Sequence, residues 1–349
     1  AFSGAKSVWV RATDASGFDS GWQRLGNFTV DVPSGNRAPL SGTETLVSGR
    51  GAAAALSFPA TDPDGAGDLR TLTLQLKAQD GTERWCMIAY QRITGAFVLA
   101  SDDAPGWLVF PSSGGNAGTG RCRLFRTAVF GVAGGLAPKA WVAFDESVAG
   151  PLRLWQQTVD MAGAESGWYG AGEWTATFPN QAPSGVQVDP GTGEGNERVF
   201  EISAWDPDGA QDLDRVEITI SPDGAAHNAC RFFVEPHSRL LGLYTDTGSG
   251  YSLTVFGSNT KFANGQCSLQ ANHVDSRLED GLLKIRVPVR FLAGLTGPNV
   301  IRVTATDLLG ASLTVENASS WTVPGPEPNQ PPEPVRLERA SSGSQERLT

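Results

Sequence analysis

Apolar and polar residues alternate one for one along much of the chain. Leu72-Thr73-Leu74-Gln75-Leu76, Val216-Glu217-Ile218-Thr219-Ile220, Leu283-Lys284-Ile285-Arg286-Val287 and Val300-Ile301-Arg302-Val303-Thr304 all carry the pattern. A period of two puts alternate side chains on opposite faces, as in a strand with one face buried. Turn signals separate these runs: Asp80-Gly81, Thr94-Gly95, Asp223-Gly224 and Asp280-Gly281. No amphipathic run of helical period extends beyond two turns. The pattern predicts an all-β chain with about eight or nine short strands per repeat, stacked as two-sheet sandwiches.

The repeat itself is visible in an acidic loop. Asp62-Pro63-Asp64-Gly65-Ala66-Gly67-Asp68-Leu69 returns 144 residues later as Asp206-Pro207-Asp208-Gly209-Ala210-Gln211-Asp212-Leu213. A Cys pair follows each loop, Cys86 with Cys122 and Cys230 with Cys267. An Ala/Ser-Gly leading to Asp-x-x-Gly occurs three times: Ser3-Gly4 to Asp14, Ala149-Gly150 to Asp160, and Ala293-Gly294 to Asp307. A closing strand follows each: Phe28-Thr29-Val30, Trp174-Thr175-Ala176 and Trp321-Thr322-Val323. Pro-bearing junctions come next, at Asn36-Arg37-Ala38-Pro39, Asn180-Gln181-Ala182-Pro183 and Asn329-Gln330-Pro331-Pro332. These landmarks frame modules of about 145 residues. Residues 1–35 read as the last strands of one module, 36–179 and 180–328 as whole modules, and 329–349 as the first strand of another. On this frame the chain starts and stops in mid-module. Its end strands are expected to pair with flanking repeats or with other copies of the chain.

The run Ile301-Arg302-Val303-Thr304-Ala305-Thr306-Asp307-Leu308-Leu309-Gly310 resembles the closing strand of bacterial immunoglobulin-like modules. Ala60-Thr61-Asp62-Pro63-Asp64-Gly65 resembles cadherin-like bacterial repeats, and fibronectin-III-like arrays share the general pattern. Such modules are ordinarily shorter. The surplus here lies around and between the two Cys, which marks an enlarged variant. The resemblance implies an extracellular structural or adhesive role in a large secreted or surface protein, and no catalytic one.

Charge and composition narrow the partners. The 349 residues carry a net charge of −10, which disfavours nucleic acid and anionic membrane surfaces as partners. No run of 18 apolar residues is present to insert in a bilayer. Paired Cys point to disulfides and an oxidising compartment. Residues 36–179 hold 11 basic and 13 acidic groups, whereas 180–328 hold 10 and 18, so the modules present different surfaces.

Three constellations are candidates for chemistry. Asp62, Asp64 and Asp68, and likewise Asp206, Asp208 and Asp212, offer closely spaced carboxylates of the kind Ca²⁺ collects. Asp160 and Asp307 stand at strand ends from which they could join. The competing reading is turn chemistry alone, since Asp-Pro-Asp-Gly closes a tight turn without metal. An EF-hand is not matched: position 12 is Thr73 in one copy and the strand residue Glu217 in the other. The Cys pairs read as structural disulfides, because no Cys-x-x-Cys or suitably spaced His accompanies them. Ten Trp read either as sandwich packing or, where exposed, as platforms for a glycan or a partner. Ser20-Gly21-Trp22 and Ser166-Gly167-Trp168 share one motif and make Trp22 and Trp168 the interaction candidates. All three His fall in the second repeat, and no nucleophile, metalloprotease or phosphate-loop motif appears. The expectation is therefore a non-enzymatic module array of an extracellular filament or cell-surface protein, assembling by strand addition between chains. The alternatives are an adhesin or carbohydrate-binding region and an accessory region of a secreted enzyme.

Overall fold

The computed structural model describes residues 4–15, 17, 19–30, 35–42, 47–79, 85–100, 106–111, 115–325, 339–342 and 345–348. The Asp80-Gly81 turn and the Asn329-Gln330-Pro331-Pro332 junction lie outside them. The described chain is all-β, with single 3₁₀ turns and no α-helix. It divides into two compact units, Ala1–Asn180 and Gln181–Thr349.

The first unit opens with a separate hairpin, β1 (Gly4–Val10) and β2 (Gln23–Val30). Thirteen strands follow: β3 (Leu40–Ser41), β4 (Val47–Arg50), β5 (Ala53–Ser57), β6 (Ala60–Thr61), β7 (Leu69–Ala78), β8 (Trp85–Gln91), β9 (Ala96–Ala100), β10 (Trp107–Val109), β11 (Ala117–Gly118), β12 (Cys122–Val132), β13 (Gly135–Phe144), β14 (Gly150–Asp160) and β15 (Tyr169–Ala176). They form a seven-stranded sheet ordered β10-β9-β8-β7-β14-β15-β4 and a six-stranded sheet, β11-β12-β13-β6-β3 with β5 also on β13.

The second unit has thirteen strands of its own: β16 (Gly185–Asp189), β17 (Thr192–Glu194), β18 (Glu197–Trp205), β19 (Leu213–Ser221), β20 (Cys230–Glu235), β21 (Leu240–Tyr244), β22 (Tyr251–Val255), β23 (Lys261–Ala263), β24 (Cys267–Gln270), β25 (Asp275–Glu279), β26 (Leu282–Phe291), β27 (Gly297–Asp307) and β28 (Ser312–Val323). The sheets repeat the plan: β17-β28-β27-β19-β20-β21-β22, and β16-β18-β26-β24-β23 with β25 on β26. A short hairpin, β29 (Arg339–Ser342) and β30 (Gln345–Leu348), comes last. The expected eight or nine strands per repeat is thus too few. The extra ones are mostly pieces of two or three residues, too short to show alternation.

The alternation does place the core. Leu72, Leu74 and Leu76 of β7 are fully buried, as are Ile285 and Val287 of β26. Burying one such side chain contributes roughly 1.5–3 kcal/mol. In each unit both sheets feed a single apolar cluster. The disulfides run through it from sheet to sheet. Cys86 on β8 joins Cys122 on β12, and Cys230 on β20 joins Cys267 on β24.

The strand register corrects one landmark. Gly4 pairs with Val30, Gly150 with Ala176 and Gly297 with Val323. Gly297, rather than Gly294, is therefore the third counterpart. Ala293–Leu295 is a 3₁₀ turn that offers a decoy Ala-Gly. Gly150 and Gly297 have φ of 109° and 106°, a conformation that glycine adopts without strain and other residues avoid.

A second shared device closes the sheets. Trp174 Nε1 donates to Gly51 O at 3.1 Å and Trp321 Nε1 to Gly195 O at 2.9 Å. Each indole lies over a glycine, and a Cβ built on Gly49 or Gly193 would come within 2.3 Å of the ring. That contact seats the parallel pairs β4·β15 and β17·β28.

Candidate functional site

Each acidic loop is first of all a turn. Asp62 Oδ1 accepts from Asp64 N and Asp206 Oδ1 from Asp208 N, both at 2.7 Å. Gly65 N and Gly209 N close on the carbonyls of Asp62 and Asp206 at 2.9 Å. Strand register then carries a fourth carboxylate alongside. Asp160 sits opposite Leu69 at the end of β14, and Asp307 opposite Leu213 at the end of β27. Met161 N donates to Asp68 O at 2.7 Å, and Leu308 N to Asp212 O at 2.8 Å, fixing that approach.

The two loops differ in which carboxylates converge. Oxygens of Asp62, Asp68 and Asp160 lie within 4.8 Å of one another in the first. Oxygens of Asp206, Asp208 and Asp212 do so in the second. Asp64, expected in the first group, is turned away. Its carboxylate takes Arg37 N at 2.8 Å and the Arg37 guanidinium at 3.0 and 3.2 Å. Asn36 Nδ2 likewise donates to Asp160 Oδ2 at 2.7 Å. In the second loop Gln181 N donates to Asp208 Oδ2 at 2.6 Å, and Gln181 occupies the place of Arg37 without its charge. In the sequence, Asn36 and Arg37 are visible only as a junction marker. Their spacing ahead of the loop, repeated at Asn180-Gln181, is the signal that could have found them.

The electrostatics follow. Backbone and guanidinium hydrogen bonds from Arg37 hold the Asp64 carboxyl below its ordinary range. Burial pulls Asp160 upward, but donors from Asn36 and the backbone outweigh it and leave it lowered. Burial, reinforced by neighbouring carboxylates, raises Asp62 and Asp68. The same causes push Asp206 up to about 6 and Asp212 up to about 8. Asp212 is fully buried, and neither of its oxygens has a hydrogen-bond partner among the described residues. Asp206 Oδ2 and Asp62 Oδ2 are in the same position. Glu217 lies apart on β19, where it binds Arg231 at 2.7 Å and accepts from Tyr244 Oη at 2.9 Å.

The remaining candidates resolve as follows. Ser20 and Ser166 staple identical loops: Ala12 N donates to Ser20 Oγ at 2.9 Å and Thr158 N to Ser166 Oγ at 3.0 Å. The adjoining Trp22 and Trp168 are exposed, at 64% and 46%. Trp141, Trp174 and Trp321 are buried. One feature has no signature in the sequence. On the outer face of the second unit, Arg215 stacks over Phe233 and Arg231 over Tyr244, at 3.5 and 3.9 Å. Tyr244 Oη also accepts from Arg215 Nη2 at 2.8 Å. No helix among the described residues is long and apolar enough to cross a membrane. No protein-family model matches the chain, and no curated protein matches it.

Proposed function

We propose that the chain is a scaffold of tandem immunoglobulin-like sandwiches, about 145 residues each, belonging to an extracellular filament or surface protein. One observation carries this reading. The β1–β2 hairpin has the register of β14–β15 and β27–β28, yet it exposes what they bury. Phe28 is 62% exposed, whereas its counterparts Trp174 and Trp321 are buried; Val8 is exposed, whereas Leu154 and Ile301 are buried. β14 pairs with β7 and β27 with β19, but β1 pairs only with β2 among the described residues. The hairpin is the closing pair of a module whose other strands come from a further repeat or a second copy, through addition at the β1 edge. Two inter-sheet disulfides suit an oxidising compartment.

The test is assembly of the full chain, followed by velocity sedimentation and negative-stain microscopy. Removing residues 1–30, or introducing Phe28→Asp, should abolish self-association while residues 36–325 keep their β circular dichroism. Association equal to that of the unaltered chain would refute strand addition at this edge. A second reading rests on the paired exposure of Trp22 and Trp168. In it they form aromatic platforms for a glycan, and quenching of tryptophan fluorescence by a glycan panel, lost in Trp168→Ala, is its signature.

A further inference from the structure

The acidic loop of the second unit holds a carboxylate for which turn chemistry has no use. The turn consumes Asp206 Oδ1 and the Asp206 carbonyl. Among the described residues it leaves Asp212 fully buried with both oxygens unpartnered, and Asp206 Oδ2 buried and unpartnered beside it. A charge taken out of water is retained only when something pairs with it. Oxygens of Asp206, Asp208 and Asp212 converge within 4.8 Å. Oxygens bound at 2.3–2.6 Å around one Ca²⁺ lie at most about 5 Å apart, so all three fit one coordination sphere. The donors are carboxylates without sulfur or imidazole, which selects a hard ion over zinc.

The first unit leaves Asp62 Oδ2 buried and unpartnered as well, but Asp68 there is only partly buried and a side chain brings a fixed cation to the loop. Arg37 brings its guanidinium to Asp64 at 3.0 Å, and its Nη2 also reaches Pro63 O at 2.5 Å. Asp64 thereby drops out of the converging group, and of the carboxylates that remain Asp62 is drawn by the Arg37 charge. Gln181 at the matching place brings no charge. We propose that the two loops are neutralised by different cations. Asp206, Asp208 and Asp212 hold a Ca²⁺ ion in the second unit, and the Arg37 guanidinium supplies the positive charge in the first.

The experiment is calorimetric titration of Ca²⁺ into the chelator-treated full chain, repeated with Tb³⁺ while exciting tryptophan, since Trp205 adjoins Asp206. One site is expected, with a dissociation constant of roughly 10⁻⁴–10⁻³ M, the range of extracellular modules. Asp212→Asn should weaken it by at least about tenfold, as loss of a supporting group does at metal sites. Asp68→Asn should leave it unchanged, and Arg37→Gln should create a second site of similar affinity. Asp212→Asn replaces a buried ionisable group by a neutral isostere, so it should fold; circular dichroism and its melting curve confirm that before titration. No binding at millimolar Ca²⁺ overturns the site. Two equal sites in the unaltered chain, or loss of binding in Asp68→Asn but not in Asp212→Asn, overturns the difference between the loops.

Discussion

Replacing Cys230 and Cys267 together by Ala removes the staple between β20 and β24. The bridge closes a loop with a sequence separation of 37, and its twin in the first unit one of 36. In the chain-entropy treatment a loop of that length removes about 13 cal/mol/K from the unfolded chain, or about 4 kcal/mol at 25 °C. For a unit that spans Gln181–Thr349, with about 2–4 °C of melting temperature per kcal/mol, that is a fall of roughly 8–16 °C. Cys86→Ala with Cys122→Ala should cost the first unit the same, because the one-residue difference in loop length is worth only about 0.02 kcal/mol. All four thiol positions are buried, so the packing losses match as well. Urea unfolding of the full chain, with each altered unit read against the intact one, measures both changes. Costs differing by more than about 1 kcal/mol would refute the claim that the two bridges act by constraining equivalent loops.

Other outcomes follow from the same geometry. Gly193→Ala and Gly49→Ala force a methyl into the ring of Trp321 or Trp174 and should each cost about 1–3 kcal/mol; unchanged urea midpoints would show that the indole is not seated on the glycine. Tyr244→Phe deletes the hydroxyl between Arg215 and Glu217 and should cost the second unit about 1 kcal/mol, checked by the same titration. With Ca²⁺ chelated, the second unit should lose stability as pH rises between about 4 and 8. Asp212 is held up to about 8 when folded, against about 3.9 in the unfolded chain, so the folded state binds more protons across that window and stability declines with pH. A midpoint that climbs from pH 5 to pH 8 would reverse the sign and the reasoning.

Local chemistry is legible in the sequence wherever it acts over a few residues. Asp-Pro-Asp-Gly announces its turn, and Leu72, Leu74 and Leu76 announce their face. The Cys pairing is legible because the 144-residue period assigns one pair to each repeat. What stays hidden depends on register. Nothing local says that Asp160 arrives opposite Leu69, or that Arg37 spends its guanidinium on Asp64. Both require knowing which strands pair. Strands such as Leu40–Ser41, Ala60–Thr61 and Ala117–Gly118 are invisible for a different reason. Two residues cannot display a period of two. Gly294 imitates Gly297 in its Ala-Gly setting, and only the backbone φ and the strand register tell them apart.

The parallel pairing of β17 with β28 has a consequence for force. The second strand of the second unit, next after β16, and the last strand of its seven-stranded sheet run side by side in the same direction, with Thr192, Gly193 and Glu194 against Ser320, Trp321 and Thr322. Val47–Arg50 stands in the same relation to Gly172–Thr175 in the first unit. Tension that reaches either pair from the two sides of its unit is directed along the strands. Their hydrogen bonds are loaded in shear, all together, and do not unzip one at a time. The indoles of Trp174 and Trp321, anchored to Gly51 and Gly195, sit on that seam and must slide with it before either parallel pair can part.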